Sequence, residues 1–69
     1  MFNVGDKVVC FLNGGNYYEG KYVKEGITCL VLSEARVVSS RTGNKSRKIK
    51  GDHYIPSQFI ERLEYPLIK

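Results

Sequence analysis

Lys7-Val-Val-Cys-Phe-Leu12-Asn-Gly-Gly-Asn16-Tyr-Tyr-Glu-Gly20-Lys-Tyr-Val-Lys24 is the stretch whose reading decides the fold. Residues 7–12 form an apolar run rich in β-branched and aromatic side chains. Gly5-Asp6 precedes it and Asn13-Gly14-Gly15-Asn16 follows, so it reads as a strand entering a tight turn. Asn-Gly supplies the positive φ angles that a hairpin demands. Residues 17–24 read as the return strand, and Gly20 in their middle marks a strong bend or a close backbone approach.

Outward from that hairpin, Glu25-Gly26 gives a second turn and residues 27–32 the clearest strand of the chain, which residues 35–39 either continue or replace with another. Residues 39–44 are a polar loop by composition. Residues 46–50 read as a fourth strand, charged enough to lie exposed or at an edge. Gly51-Asp52 turns the chain, Pro56 opens a short helical turn through Ser57-Gln58, and residues 59–63 are the last strand, with residues 66–69 as a tail. Five short strands with tight turns cannot bury both faces as a flat sheet, whereas a bent sheet that closes on itself can. The expectation is an all-β fold: a small five-stranded, strongly bent antiparallel barrel with a helical turn before the last strand. It forms one domain over residues 1–69.

A chain of 69 residues buries only about 60% of its unfolded surface, so its core is thin. No run reaches the roughly 18 apolar residues of a membrane helix, and the start lacks the basic and apolar regions of a signal peptide. The expected compartment is therefore the cytoplasm, with no membrane association, and the short compact chain suits a phage or mobile-element product. Cys10 and Cys29 each lie inside an apolar run with no nearby Cys or His pair, so they are expected as small core residues and not as zinc ligands. No metal and no cofactor are expected.

Catalysis finds little support. His53 is the sole histidine, and Asp52 beside it points to the opposite face of a strand, which leaves an exposed turn histidine as the simpler reading. Asn13-Gly14-Gly15-Asn16 lacks the Lys-Ser/Thr of a phosphate loop. The sequence reads as a binding protein, not an enzyme.

The charge pattern says more. Between Ala35 and Gly51 lie six bases and no acid, whereas the rest of the chain holds five bases and seven acids. A basic block on a neutral-to-acidic body is the footprint of a phosphate-binding face. The cations are Arg41, Lys45, Arg47, Lys48 and Lys50, and the flat side chains able to stack on bases are Tyr17, Tyr18, Tyr22, His53 and Tyr54. Strand alternation puts Tyr18 and Tyr22 on one face and Tyr17 on the other. The simpler reading for each tyrosine is cross-strand packing. Stacking favours single strands over duplex.

Two motifs carry a resemblance. Gly20-Lys-Tyr-Val-Lys-Glu-Gly-Ile-Thr-Cys-Leu30-Val-Leu-Ser-Glu-Ala35 is similar to the first motif of the Sm family, and Ile49-Lys50-Gly51-Asp52 resembles the second. Together they cover about half the chain. Cys29 stands where the family carries an asparagine that helps hold a base, and Glu25 or Gly26 falls near its usual aspartate. Only Lys50, Gly51 and Asp52 therefore carry over as site residues. Tyr54-Ile-Pro-Ser-Gln-Phe-Ile60 resembles the ending of SH3 domains, and Phe2-Asn-Val-Gly-Asp-Lys-Val-Val9 the first strand of Tudor-like and KOW-like barrels. The chain has no tryptophan, so the SH3 platform for proline-rich peptides is missing.

The Sm resemblance implies a homo-oligomeric ring, built by edge-strand pairing, that binds single-stranded RNA without catalysis. Its expected site is Arg41, Lys45, Arg47, Lys48, Lys50, Gly51 and Asp52, with Tyr18, Tyr22 and His53 as stacking groups. The Tudor and KOW resemblance implies an alternative, a module that docks on a protein of the transcription or translation machinery.

Overall fold

The computed structural model describes residues 2–66. Five strands follow one another: β1 (Lys7–Leu12), β2 (Tyr17–Glu25), β3 (Cys29–Val38), β4 (Asp52–Pro56) and β5 (Ile60–Glu64). A 3-10 turn, Ser57–Phe59, joins the last two. All pairings are antiparallel, in a single sheet of order β4-β3-β2-β1-β5. The all-β, five-stranded expectation holds. Of the expected tail at residues 66–69, residues 67–69 lie outside the described residues.

The first hairpin closes as its composition requires, though the positive φ falls on Gly15 at 97° and not on Asn13 or Gly14. Gly15 N–H donates to the Leu12 carbonyl at 3.1 Å, and Leu12 N–H donates to the Asn16 carbonyl at 3.0 Å. β1 then pairs with β2 over five positions, Lys7 opposite Lys21 through Phe11 opposite Tyr17.

Gly20 marks the bend. A Cβ there would stand 3.1 Å from the Ser33 carbonyl oxygen and 3.3 Å from both Ala35 Cα and Leu32 Cβ, so the two backbones meet where a side chain is absent. Opposite it the β2–β3 register shifts, from Glu19 facing Arg36 to Lys21 facing Ser33. Glu34, at φ 52°, sits in the extra residue this creates. A second shift follows between Tyr22 and Lys24. Bulges of this kind coil a sheet locally, and two of them on one strand pair curl a five-stranded sheet into a barrel-like body.

The inward face collects Val8 and Cys10 from β1, Leu30, Leu32 and Ala35 from β3 and Ile55 from β4, all buried. Tyr18, Tyr22, Ile49, Ile60 and Leu63 pack around them. Each fully buried aliphatic side chain is worth about 1.5–3 kcal/mol. Cys10 is one of these residues, fully buried, and burial first and Glu25 second push its thiol up to about 11. Cys29 is half-buried and also free.

Three boundaries differ from expectation. Residues 46–50 are no regular strand. They form an irregular strap beside the second half of β3, and β4 begins only at Asp52. The ladder fails for a local reason. Ser46 donates its N–H to the Val37 carbonyl at 2.9 Å, but its own Oγ, not a backbone carbonyl, accepts the Val37 N–H at 2.9 Å. The next bond, Ile49 N–H to the Ala35 carbonyl at 2.8 Å, spans three strap residues against two of β3. Ile27 belongs to the turn before β3 and is 98% exposed, and Phe59 belongs to the 3-10 turn instead of opening β5. Pro56 ends β4 in extended conformation and precedes the helical turn.

Candidate nucleic-acid interface

The strap begins in a turn built from its polar residues. Gly43 N–H donates to the Ser39 carbonyl at 2.7 Å, Ser39 N–H to the Asn44 carbonyl at 3.0 Å, and Asn44 N–H to Thr42 Oγ1 at 3.1 Å. A single bridge joins Lys45 to Val38, and half-buried Ile49 anchors the far end against the core. Every base along this irregular path is exposed: Arg41, Lys45, Arg47, Lys48 and Lys50.

Exposure is not freedom, however. Lys45 Nζ pairs with Glu19 at 3.2 Å, and Lys48 Nζ with Glu34 at 3.2 Å. Glu34 also takes Lys21 at 2.9 Å, and hydrogen bonds from Lys21 and then Lys48 hold its carboxyl below the usual carboxylate range. Such exposed pairs stabilise by about 0–1 kcal/mol and are screened by salt, so a polyanion can displace them. Arg41, Arg47 and Lys50 have no ion pair among the described residues. Gly51 turns the chain at φ 71°, a conformation that favours glycine, and hands it to exposed Asp52, which pairs with Ser33 at the start of β4. Lys50, Gly51 and Asp52 therefore continue the strap along one edge of the sheet.

The aromatic groups divide by face. Tyr18 and His53 both turn inward. His53 is half-buried within β4 and not an exposed turn residue. Its Nε2 lies 3.1 Å from the Tyr18 hydroxyl, with the rings 5.0 Å apart. Register explains this, because His53 pairs with buried Leu32 and shares its face. Tyr22 stacks on Phe2 at 5.7 Å and 28°. Three expected stacking groups thus have ring faces engaged by the protein. Tyr54, 59% exposed, lies on the outer side of β4.

A row of which the sequence pattern marks only Tyr17 crosses the outer face. Phe11 packs on Tyr17 at 5.4 Å, and the Arg62 guanidinium lies 4.0 Å over the Phe11 ring while Glu61 and Glu64 hold its nitrogens. Alternation within β1 could have found Phe11, because it stands between inward-facing Cys10 and Leu12.

Next to that row lies a concavity of about 320 Å³, lined by Lys7, Lys21, Arg36 and Lys48 with Glu19 and Glu34, and by the uncharged Val8, Val9, Gly20 and Pro66. Lys7 and Lys21 are direct cross-strand partners. Arg36 Nε is buried and has no hydrogen-bond partner among the described residues, which costs about 1–3 kcal/mol for such a donor.

Among the described residues no group of three or more His, Cys, Asp or Glu side chains could hold a metal ion, and no helix is long and apolar enough to cross a membrane. No protein-family model matches the chain, and no curated protein matches it either.

Proposed function

We propose that this protein binds single-stranded RNA without catalysis, as a homo-oligomer. The observation that carries the reading is the strap, whose Arg41, Arg47 and Lys50 are exposed and have no ion pair among the described residues. Lys45 and Lys48 join them once a phosphate competes with Glu19 and Glu34. Tyr54 is the accessible ring nearest the Lys50-Gly51-Asp52 turn in sequence and takes the stacking role in place of Tyr18, Tyr22 and His53.

Self-association draws on the sheet order. β4 and β5 are its two margins, and among the described residues each pairs on one side only. An unpaired margin is a template for another strand, and β4 of one copy can take β5 of the next. A ring built this way repeats the strap around an axis and turns weak phosphate contacts into avidity. The free thiols of Cys10 and Cys29 fit the reducing cytoplasm.

The test is fluorescence anisotropy with oligo-U and oligo-A across a salt series, alongside solution mass. Neutralising three phosphates per protomer releases their counterions and gives a log–log slope of about −2 for a single strand. Reversing Arg41, Arg47 and Lys50 to Glu should abolish binding. Affinity that ignores both salt and those reversals would sink the proposal.

A second reading, docking on a protein of the transcription or translation machinery, draws on the apolar surface at the other end of the molecule, where Ile27 is 98% and Phe59 51% exposed. A monomer that ignores both oligonucleotides but is retained by such a partner, in a manner lost in Ile27→Ser, would favour it.

A further inference from the structure

We infer that the outer-face concavity of β1, β2 and β3 is a separate anion site that takes the phosphate group of a small phosphorylated ligand. The inference does not rest on the RNA reading: Lys48 belongs to the strap and to the concavity, but Arg41, Arg47 and Lys50, which carry that reading, do not line it.

Two independent observations point to an anion there. Lys7 and Lys21 stand directly opposite each other on neighbouring strands, an arrangement that costs stability unless a negative charge sits between them. Glu34 partners Lys21, whereas Lys7 has no ion pair among the described residues. Arg36, across the same surface, lines the concavity and has no ion pair among the described residues. A guanidinium and two ammonium groups carried on three neighbouring strands suit an acceptor with several oxygens on one centre.

The two carboxylates do not cancel this. Glu34 spends one oxygen on Lys21 and the other on Lys48, and each ammonium group keeps donors to spare. Glu19 pairs with Lys45 from the strap. The backbone builds the arrangement, because the extra residue at Glu34 carries the carboxylate out while returning Arg36 to the face of Glu19. A concavity of about 320 Å³ has the liquid volume of roughly ten waters, room for a phosphate and the group esterified to it. A mononucleotide or the phosphorylated end of a nucleic-acid chain presents that chemistry.

The experiment is an NMR titration of amide shifts in the full chain at constant ionic strength, with inorganic phosphate, uridine 5′-monophosphate and uridine in turn. Phosphate and the monophosphate should give saturable shifts at Gly20, Lys21 and Arg36, and uridine none. Arg36→Gln should weaken the monophosphate at least tenfold. Lys7→Gln, on an exposed side chain that carries no packing, should weaken it severalfold and guards against a folding defect in the first variant. Shifts that rise linearly as with chloride, that saturate only at the strap, or that survive both substitutions would overturn the site.

Reversal of Arg41, Arg47 and Lys50 should abolish oligonucleotide binding yet leave the monophosphate shifts intact, so the two proposals fail separately. A 5′-phosphorylated oligo-U that binds tighter than its 5′-hydroxyl form, with the difference erased by Arg36→Gln, assigns the site to chain ends. Equal binding of the two forms, with monophosphate shifts retained, assigns it to free mononucleotides.

Discussion

Single residues set the limits of this small molecule. Gly20→Ala puts a methyl group against the Ser33 carbonyl and Ala35 Cα, both backbone and unable to swing aside. The expected loss is about 1–3 kcal/mol, read as a fall of roughly 4–8 °C in Tm per kcal/mol. Cys10 gives a pH signature. Its thiol is raised from 9.0 to about 11, so the native state favours the protonated form. That contribution is fully present below pH 9 and is lost as the pH rises towards 11, up to about 2–3 kcal/mol for a shift of this size. Urea melts at pH 7, 9 and 11 should show this loss, and Cys10→Ala, less stable at neutral pH, should lack the Cys10 part of it. At this scale the sequence was informative about Gly20 and Cys10, whereas Cys29, expected in the core, is only half-buried. It was silent on Glu34, because an acidic residue at positive φ has no signature of its own. His53 was misread because burial depends on which strand lies opposite.

Elements were legible where their chemistry is local. The first hairpin, the bent second strand and the 3-10 turn follow from a glycine pair closed at Gly15, a mid-strand glycine and Pro-Ser, each acting within a few residues. The strap was not, because its departure from strand geometry depends on Ser46 Oγ meeting Val37 from the far side of a loop. Its charge was visible in the sequence, whereas the pairing of Lys45 with Glu19 and Lys48 with Glu34 needed the fold. Ile49 is the strap's only apolar anchor in the core. Ile49→Ala should therefore release it, removing hydrogen-exchange protection at Ser46 and Ile49 while the amides of β1 to β3 keep theirs. If the proposed interface uses a preordered strap, the same variant should weaken oligo-U with no change in charge. Ser46→Ala tests the strap more gently, at about 0.5–1.5 kcal/mol for one hydrogen bond.

For the whole molecule, composition implied a bent sheet but not the order of its strands. That order follows from which turns are too short to cross and from the return of the last strand to the first. Residue pairs Cys10–Leu63 and Leu12–Ile60 stitch β1 to β5, and Asn13 secures the join with its N–H to the Phe59 carbonyl at 2.9 Å and its Nδ2 to the Gln58 carbonyl at 3.0 Å. β1 supplies Val8 and Cys10 to the core, so the strand made first is finished by the strand made last. On the ribosome, an emerging chain keeps one flank of β1 bare until residue 64 has cleared the tunnel, and bare flanks recruit neighbours. A chain cut before Ile60 should not settle into a four-stranded remnant. Light scattering on such a fragment should report clumping, with the intact protein clear under the same conditions.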